Sequence, residues 1–341
     1  MMDQQGAGEY AVTWLVDEIE VGASLTRPAG DGPFPAVIMV AGSGPTDRNW
    51  NTPLLAGTNG SAALLAKVLA DNGFVVLRYD KRASGPQGLA NAARLAGRVS
   101  MQSHVDELAG GVRLLAARTD VDATRLFALS NSEGAIHVLN YQVQQSALQH
   151  DRQAALPFGG MVLTGAPARP VGLVAHDQLA AQLQPLPGGA EQLAAYDRAM
   201  ANFVAERPLD LDPNLLEGVR NLILGITQPF NLPFARELWI LDPLAQLATV
   251  TVPVLVVIGK KDLQVDWQAD GSLFATLAET HRNVEVAFVP DANHVLKHEA
   301  RPRETLTGAE AAADYNAEGK VLDPEAVRII VEWLRKARSG S

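Results

Sequence analysis

Six short apolar runs, at residues 36–40, 74–77, 126–129, 160–163, 254–258 and 284–289, constrain the fold of this chain more than any other feature. They are too short for core helices, and most lack the strict alternation of a strand with one wet face, so they suit strands buried on both faces. Helical patterns lie between them. Residues 61–70 are helical and stop at Asn72-Gly73. Residues 104–118 align Val105, Leu108, Val112 and Leu115 on one stripe, and 326–338 align Val327, Ile330, Val331 and Leu334. Strand and helix in alternation predict an α/β fold with a mostly parallel central sheet and helices on both faces. Two strands at 11–16 and 19–26, followed by the turn-rich stretch 27–33, precede that core.

The alternation lapses between residues 171 and 248. Helical patterns at 176–183, 190–205 and 213–224 are joined there by proline-rich turns such as Pro185-Leu186-Pro187. Ordinary crossover helices are one reading; the length favours a helical cap, 171–248, inserted into a core formed by 1–170 and 249–341. Residues 301–322 are polar and poorly periodic, and are expected to form a surface excursion.

Composition closes off several classes. A net charge of -10 argues against a nucleic-acid partner and against an anionic membrane surface. The absence of cysteine removes disulfides, thiolate metal sites and a cysteine nucleophile. No basic, then apolar, leader pattern is visible and no apolar run reaches membrane-spanning length, so no membrane insertion is expected. A cytoplasmic protein is the expectation, with an earlier removed leader left open.

The chemistry is signalled by Ser130-Asn131-Ser132-Glu133-Gly134, which lies between the apolar run 126–129 and a helical pattern beginning at Ala135. A serine at a tight strand-to-helix turn, flanked two residues away by small side chains, is a nucleophile elbow. The bland alternative is a Ser/Asn helix cap. A serine hydroxyl needs a base, normally a histidine held by a carboxylate. Both follow: the run 254–258 leads into Gly259-Lys260-Lys261-Asp262, and the run 284–289 into Pro290-Asp291-Ala292-Asn293-His294. Each would emerge at the carboxyl edge of the sheet, where open parallel sheets bind ligands. Ser132, Asp262 and His294 are therefore the expected catalytic residues. Asp266 is a rival acid and His298 a rival base, while Asp291 is expected to brace its loop. His104, His137, His150, His176 and His281 carry no partner pattern, and a surface or core role is expected of each. His294 and His298 stand four apart, but Val295 occupies the place of a zinc hydrolase's glutamate, so no metal is expected.

The order Ser, Asp, His resembles that of the α/β-hydrolase superfamily, and the resemblance covers nearly the whole chain. It is nearest to bacterial serine esterases and peptidase-like hydrolases with a G-S-G-P-x-D-R oxyanion loop, here Gly42-Ser43-Gly44-Pro45-Thr46-Asp47-Arg48. The stretches Arg78-Tyr79-Asp80-Lys81-Arg82, Glu133-Gly134 and Asp262-Leu263-Gln264-Val265 match in the same order. Ala41 and Ser130 depart from the usual His and Gly.

The resemblance implies an α/β-hydrolase fold and an oxyanion hole formed by the N–H groups of Ser43 and Glu133, with Gly42 and Gly44 permitting the unusual loop dihedrals. Gly42, Gly44, Trp50, Asn131 and Trp239 are expected to line the substrate site, with apolar cap residues such as Phe203, Phe230 and Phe234 supplying a pocket or simply packing the cap. Arg48, Asp80 and Arg82 are expected to form bracing ion pairs. The implied activity is a cofactor-free serine carboxylesterase acting on small to medium apolar esters. Two rivals stay open: a peptidase or amidase with the same triad, and a non-catalytic hydrolase-like receptor. The expected partner is a small-molecule ester; a homodimer is left open.

Overall fold

The structure is a computed structural model that describes residues 6–148 and 155–337. Strands β1 (Gly8–Val16), β2 (Ile19–Arg27) and β3 (Phe34–Val40) come first, followed by α1 (Ser61–Asp71) and β4 (Val75–Tyr79). Then come α2 (Gly88–Leu95), α3 (Met101–Ala116), β5 (Val121–Asn131), α4 (Gly134–Ala147) and β6 (Gly160–Thr164). Five helices follow: α5 (Val171–Leu183), α6 (Gly189–Val204), α7 (Glu217–Ile226), α8 (Phe234–Ile240) and α9 (Pro243–Leu247). The chain then returns to the sheet with β7 (Val254–Gly259), α10 (Ala269–Thr280), β8 (Val284–Val289), α11 (Gly308–Ala313) and α12 (Pro324–Ala337).

The eight strands form one sheet in the order β1-β2-β4-β3-β5-β6-β7-β8. The pairs β1/β2 and β2/β4 are antiparallel, and every other pair is parallel. Alternate residues of β3 explain its unbroken apolar run. Ala36, Ile38 and Val40 face a core that includes Val105, Leu108 and Val112 of α3, whereas Val37 and Met39 face α1 and α12. The order reverses around β3, whose neighbours are β4 and β5, and this switch point opens a crevice beyond the carboxyl ends of the strands. Register places Val40 opposite Ser130 and Asn131 opposite Thr164, bringing the loops after β3, β5 and β6 together at that edge.

Between β6 and β7 the chain is wholly helical apart from turns. Its helices share an apolar cluster of their own, including Leu179, Leu183, Tyr196, Phe203 and Ile223. Phe234 and Leu238 of α8 join this segment to Leu95, Val99 and Ile136 of the sheet-bearing part. The helix expected from residue 213 begins only at Glu217, because Asp212 accepts from the amides of Asn214 and Leu215 and folds that stretch into a turn. Arg338 of the expected final helix lies outside the described residues.

The stretch 301–322 is a surface excursion, with only Ala311, Tyr315 and Asn316 buried. It contains α11, and the buried Asn316 side chain donates to the carbonyls of Thr52 and Leu55. Through Asn316 it satisfies the backbone of another loop, which is how a polar, unperiodic sequence can dock at the carboxyl edge of the sheet.

Candidate active site

Ser132 has a φ of +54°, the left-handed region that non-glycine residues seldom enter. The amide of Ser132 donates to Thr164 at 2.9 Å, anchoring the turn. Gly134 is required by close approach: a Cβ there would lie 2.5 Å from the Val40 carbonyl oxygen. Ser130, where glycine is usual, is fully buried and its hydroxyl donates to Val162, so its small side chain is accommodated between β5 and β6.

His294 Nδ1 lies 2.8 Å from Asp262 Oδ2. Asp262 is fully buried, and its other carboxylate oxygen accepts from the amides of Gln264 at 2.7 Å and Val265 at 3.0 Å. With the carboxylate so held, its bond to Nδ1 orients the imidazole and leaves Nε2 for chemistry. The histidine loop is pinned as well. Asn293 Oδ1 accepts from the amides of Val295 and Lys297, and Asn131 Nδ2 donates to the His294 carbonyl at 2.9 Å. Gly165 leaves room for the ring, since a Cβ there would lie 3.1 Å from His294 Nδ1. Ser132 and His294 line one small cavity of about 250 Å³, together with Gly42, Ser43, Trp50, Asn131 and Tyr315.

The amides of Ser43 and Glu133 have no acceptor among the described residues, as donors reserved for a developing oxyanion require. Their loops are tied by a buried cation. Lys81 Nζ donates to the Gly42 carbonyl and, at 3.1 Å, to Glu133 Oε1. His137, one helical turn beyond Glu133, places Nε2 3.1 Å from the same oxygen, and its ring sits 4.6 Å from that of His104. Burial alone would raise the Glu133 carboxyl; the Lys81 charge and the His137 hydrogen bond outweigh it and hold the group well below the usual carboxylate range. Burial, reinforced by His104, lowers His137 to about 4.

This network makes stability pH-dependent with a definite sign. An unfolded histidine takes up a proton near pH ~6.5, whereas folded His137 does so only near 4. Its contribution to stability is present above the unfolded value and is lost as pH falls toward the folded one. The held Glu133 carboxylate acts in the same direction, its share disappearing as pH drops through its own depressed value. The melting temperature is expected to fall between pH 6.5 and 4, and His137→Gln is expected to flatten that slope; identical slopes in thermal melts of the two proteins would exclude this role.

The remaining sequence candidates are dispersed. Asp266 caps α10 through the amides of Gln268 and Ala269 and pairs with Arg303. His298 lies outside any helix: residues 292 and 298 bridge in antiparallel fashion, and His298 Nδ1 lies 2.9 Å from Asp323. Asp291 lies 3.7 Å from Lys261. Arg48 pairs with Asp80 and Arg82 with Glu107. His104 and His137 are buried together beneath Phe234, His176 faces Asp197, His281 ends α10, and His150 lies outside the described residues. The Asn131 amide is spent on Thr164 and His294, and Trp50 is buried beside Ser132's cavity. Gly44 and Trp239 line a second, larger cavity of about 1050 Å³.

Sequence reasoning missed Lys81 as a tie between the loops at Gly42 and Glu133, the Glu133 and His137 side chains, and Tyr315. The four-residue spacing of Glu133 and His137 on a helix was a usable signal. Tyr315 had none; its ring lies 6.1 Å from that of His294 and its hydroxyl accepts from Gln264.

No protein-family model matches the chain. Over 313 residues it is 26% identical to esterase EstD of Thermotoga maritima, a match covering 92% of this chain and 65% of that protein. The chain thus spans slightly less than two thirds of its curated relative's length. Among solved structures it is similar to the proline iminopeptidase of Mycobacterium smegmatis, with a TM-score of 0.56, 17% identity, and coverage of 97% of this chain and 99% of that one. It is also similar to a thermophilic esterase of Thermogutta terrifontis in its malate-bound form, with a TM-score of 0.52, 19% identity, and coverage of 97% and 100%.

Proposed function

We propose that this chain, an α/β-hydrolase by fold, is a serine carboxylesterase acting on small to medium apolar esters through an acyl-enzyme on Ser132. The observation that carries the reading is the 2.8 Å bond between His294 and a fully buried Asp262, with His294 and Ser132 lining one cavity. In this mechanism His294 takes the proton of Ser132 as its oxygen attacks the ester carbonyl. The amides of Ser43 and Glu133 receive the oxyanion, and the alcohol departs with the proton from His294. Water, activated by the same imidazole, then releases the acid. No metal or cofactor is called for by these steps.

The helical segment 171–248 serves as a cap, since Phe230, Phe234, Leu238 and Trp239 line the larger cavity. Esters are favoured over peptides with a free amino terminus. The carboxylates facing that cavity are already engaged, Glu133 by Lys81 and His137, and Asp47 by the amides of Asn49 and Asn51. Neither stands without a donor partner. Among the described residues no helix is long and apolar enough to cross a membrane. A chain without cysteine needs no oxidising compartment, which supports a cytoplasmic home.

A fluorophosphonate probe and a paired panel of acyl esters and aminoacyl amides test the reading. Labelling at Ser132 with turnover of the esters is expected. Turnover confined to the amides would favour the peptidase reading, and an inert protein would favour a receptor.

A further inference from the structure

Resting on the serine-esterase reading, we propose that the larger cavity receives the acyl group, so that preferred substrates join a bulky apolar acid to a compact alcohol. Two cavities of very different size meet at Ser43, Thr52 and Leu55, which line both. The smaller, about 250 Å³, contains His294; the larger, about 1050 Å³, contains Glu133 but neither Ser132 nor His294. Chemistry assigns them. When the tetrahedral intermediate collapses, the bond from carbon to the alcohol oxygen breaks, and the proton that His294 took from Ser132 passes to that oxygen. The departing alcohol must therefore lie within reach of His294, on the side of the small cavity. Carbon keeps its bonds to Ser132 and to the acyl chain, and the chain is left the large cavity beyond the oxyanion amides.

The lining fits an uncharged acid. Leu89, Leu95, Phe230, Phe234, Leu238 and Trp239 form much of its wall. Leu89 and Phe230 remain 91% and 45% exposed, extending the apolar surface toward solvent. The charged side chains that reach it are already paired: Lys81 with Glu133, Arg82 with Glu107, and Asp47 with backbone amides. An acid bearing a charge would find no free counter-ion there. A cavity of this volume is at the upper end for small-molecule sites, which run to ~1,000 Å³.

Two isomeric esters test the assignment: the methyl ester of a biphenylylbutanoic acid, and the acetate of the matching biphenylylpropanol. They contain the same atoms with the ester reversed. The methyl ester is expected to show a kcat/KM about 100-fold the higher, the scale on which apolar pockets discriminate. Gly225 offers a second handle. It lines the large cavity, and a Cβ built on it would meet nothing within 4 Å, so a new side chain has open space to enter. Gly225→Phe is expected to lower kcat/KM for the bulky methyl ester relative to methyl acetate by about 10-fold or more. A preference for the bulky acetate, or a uniform loss on both methyl esters in the variant, overturns the assignment while leaving the esterase standing. If the unmodified protein labels at Ser132 and turns over neither ester, the acyl assignment fails; if it neither labels nor turns over any ester, the esterase reading fails with it.

Discussion

Ser132→Ala is expected to lower ester kcat by about a hundred-thousand- to a million-fold, leaving the residual rate that oxyanion stabilisation and binding alone supply. The magnitude follows from the unit that serine completes. Without the Ser132 hydroxyl, His294, oriented by Asp262, loses the nucleophile it would activate, and the amides of Ser43 and Glu133 can stabilise only the oxyanion of slower attack by water. The fold should tolerate the change, because alanine meets the same backbone demand at φ +54° as serine does. Burst kinetics with a chromogenic ester, fluorophosphonate labelling and thermal melts measure all three consequences. A variant that keeps wild-type turnover would end the proposed mechanism; one that melts far below the parent would make the serine a structural requirement instead.

Lys81→Met is expected to reduce both rate and stability, for separable reasons. Lys81 binds the Gly42 carbonyl and the Glu133 carboxylate, and so holds the two loops that carry the amides of Ser43 and Glu133, the proposed oxyanion donors. Losing an oxyanion donor outright costs about 100- to 1000-fold in kcat; loosening both loops is expected to cost about 100-fold, with KM changed little. Stability falls because Glu133 is left as a buried charge with only His137 beside it, and breaking such a pair costs about 3–5 kcal/mol. The double variant Lys81→Met/Glu133→Gln separates the effects. Neutralising residue 133 is expected to restore the melting temperature, while kcat stays low because the tie to Gly42 is still absent. Recovery of rate together with stability would assign Lys81 a purely structural part.

The proposed catalytic residues were legible in the sequence because each sits on a local strand-to-turn signal. Ser132 follows an apolar run and precedes Gly134 and a helix; Asp262 and His294 each follow a run of their own. Such signals involve neighbouring residues, and parallel strands bring their carboxyl ends to one edge whatever their separation along the chain. In the buried cluster behind the loops at Gly42 and Glu133, only the four-residue spacing of Glu133 and His137 is a local signal. Lys81 and Glu133 are 52 residues apart, and a lysine after a strand reads as an ordinary surface charge until the crossover places it beneath Gly42. Tyr315 was hidden for another reason: its polar stretch is ordered by hydrogen bonds to the loop at Thr52 and Leu55, not by apolar periodicity.

By itself the sequence determined the eight strands, the helices near 61–70, 104–118 and 326–338, the helical character of residues 171–248, and the strand-to-turn positions of the proposed nucleophile, acid and base, all of which follow from patterns repeated over a few residues. Tertiary structure alone decided how the acidic and basic side chains pair in the interior, that the polar stretch after residue 300 docks at the sheet edge, and that one large apolar cavity adjoins one small one. Those outcomes depend on packing between segments far apart in the chain, where the shape left between two surfaces is a property of neither surface alone.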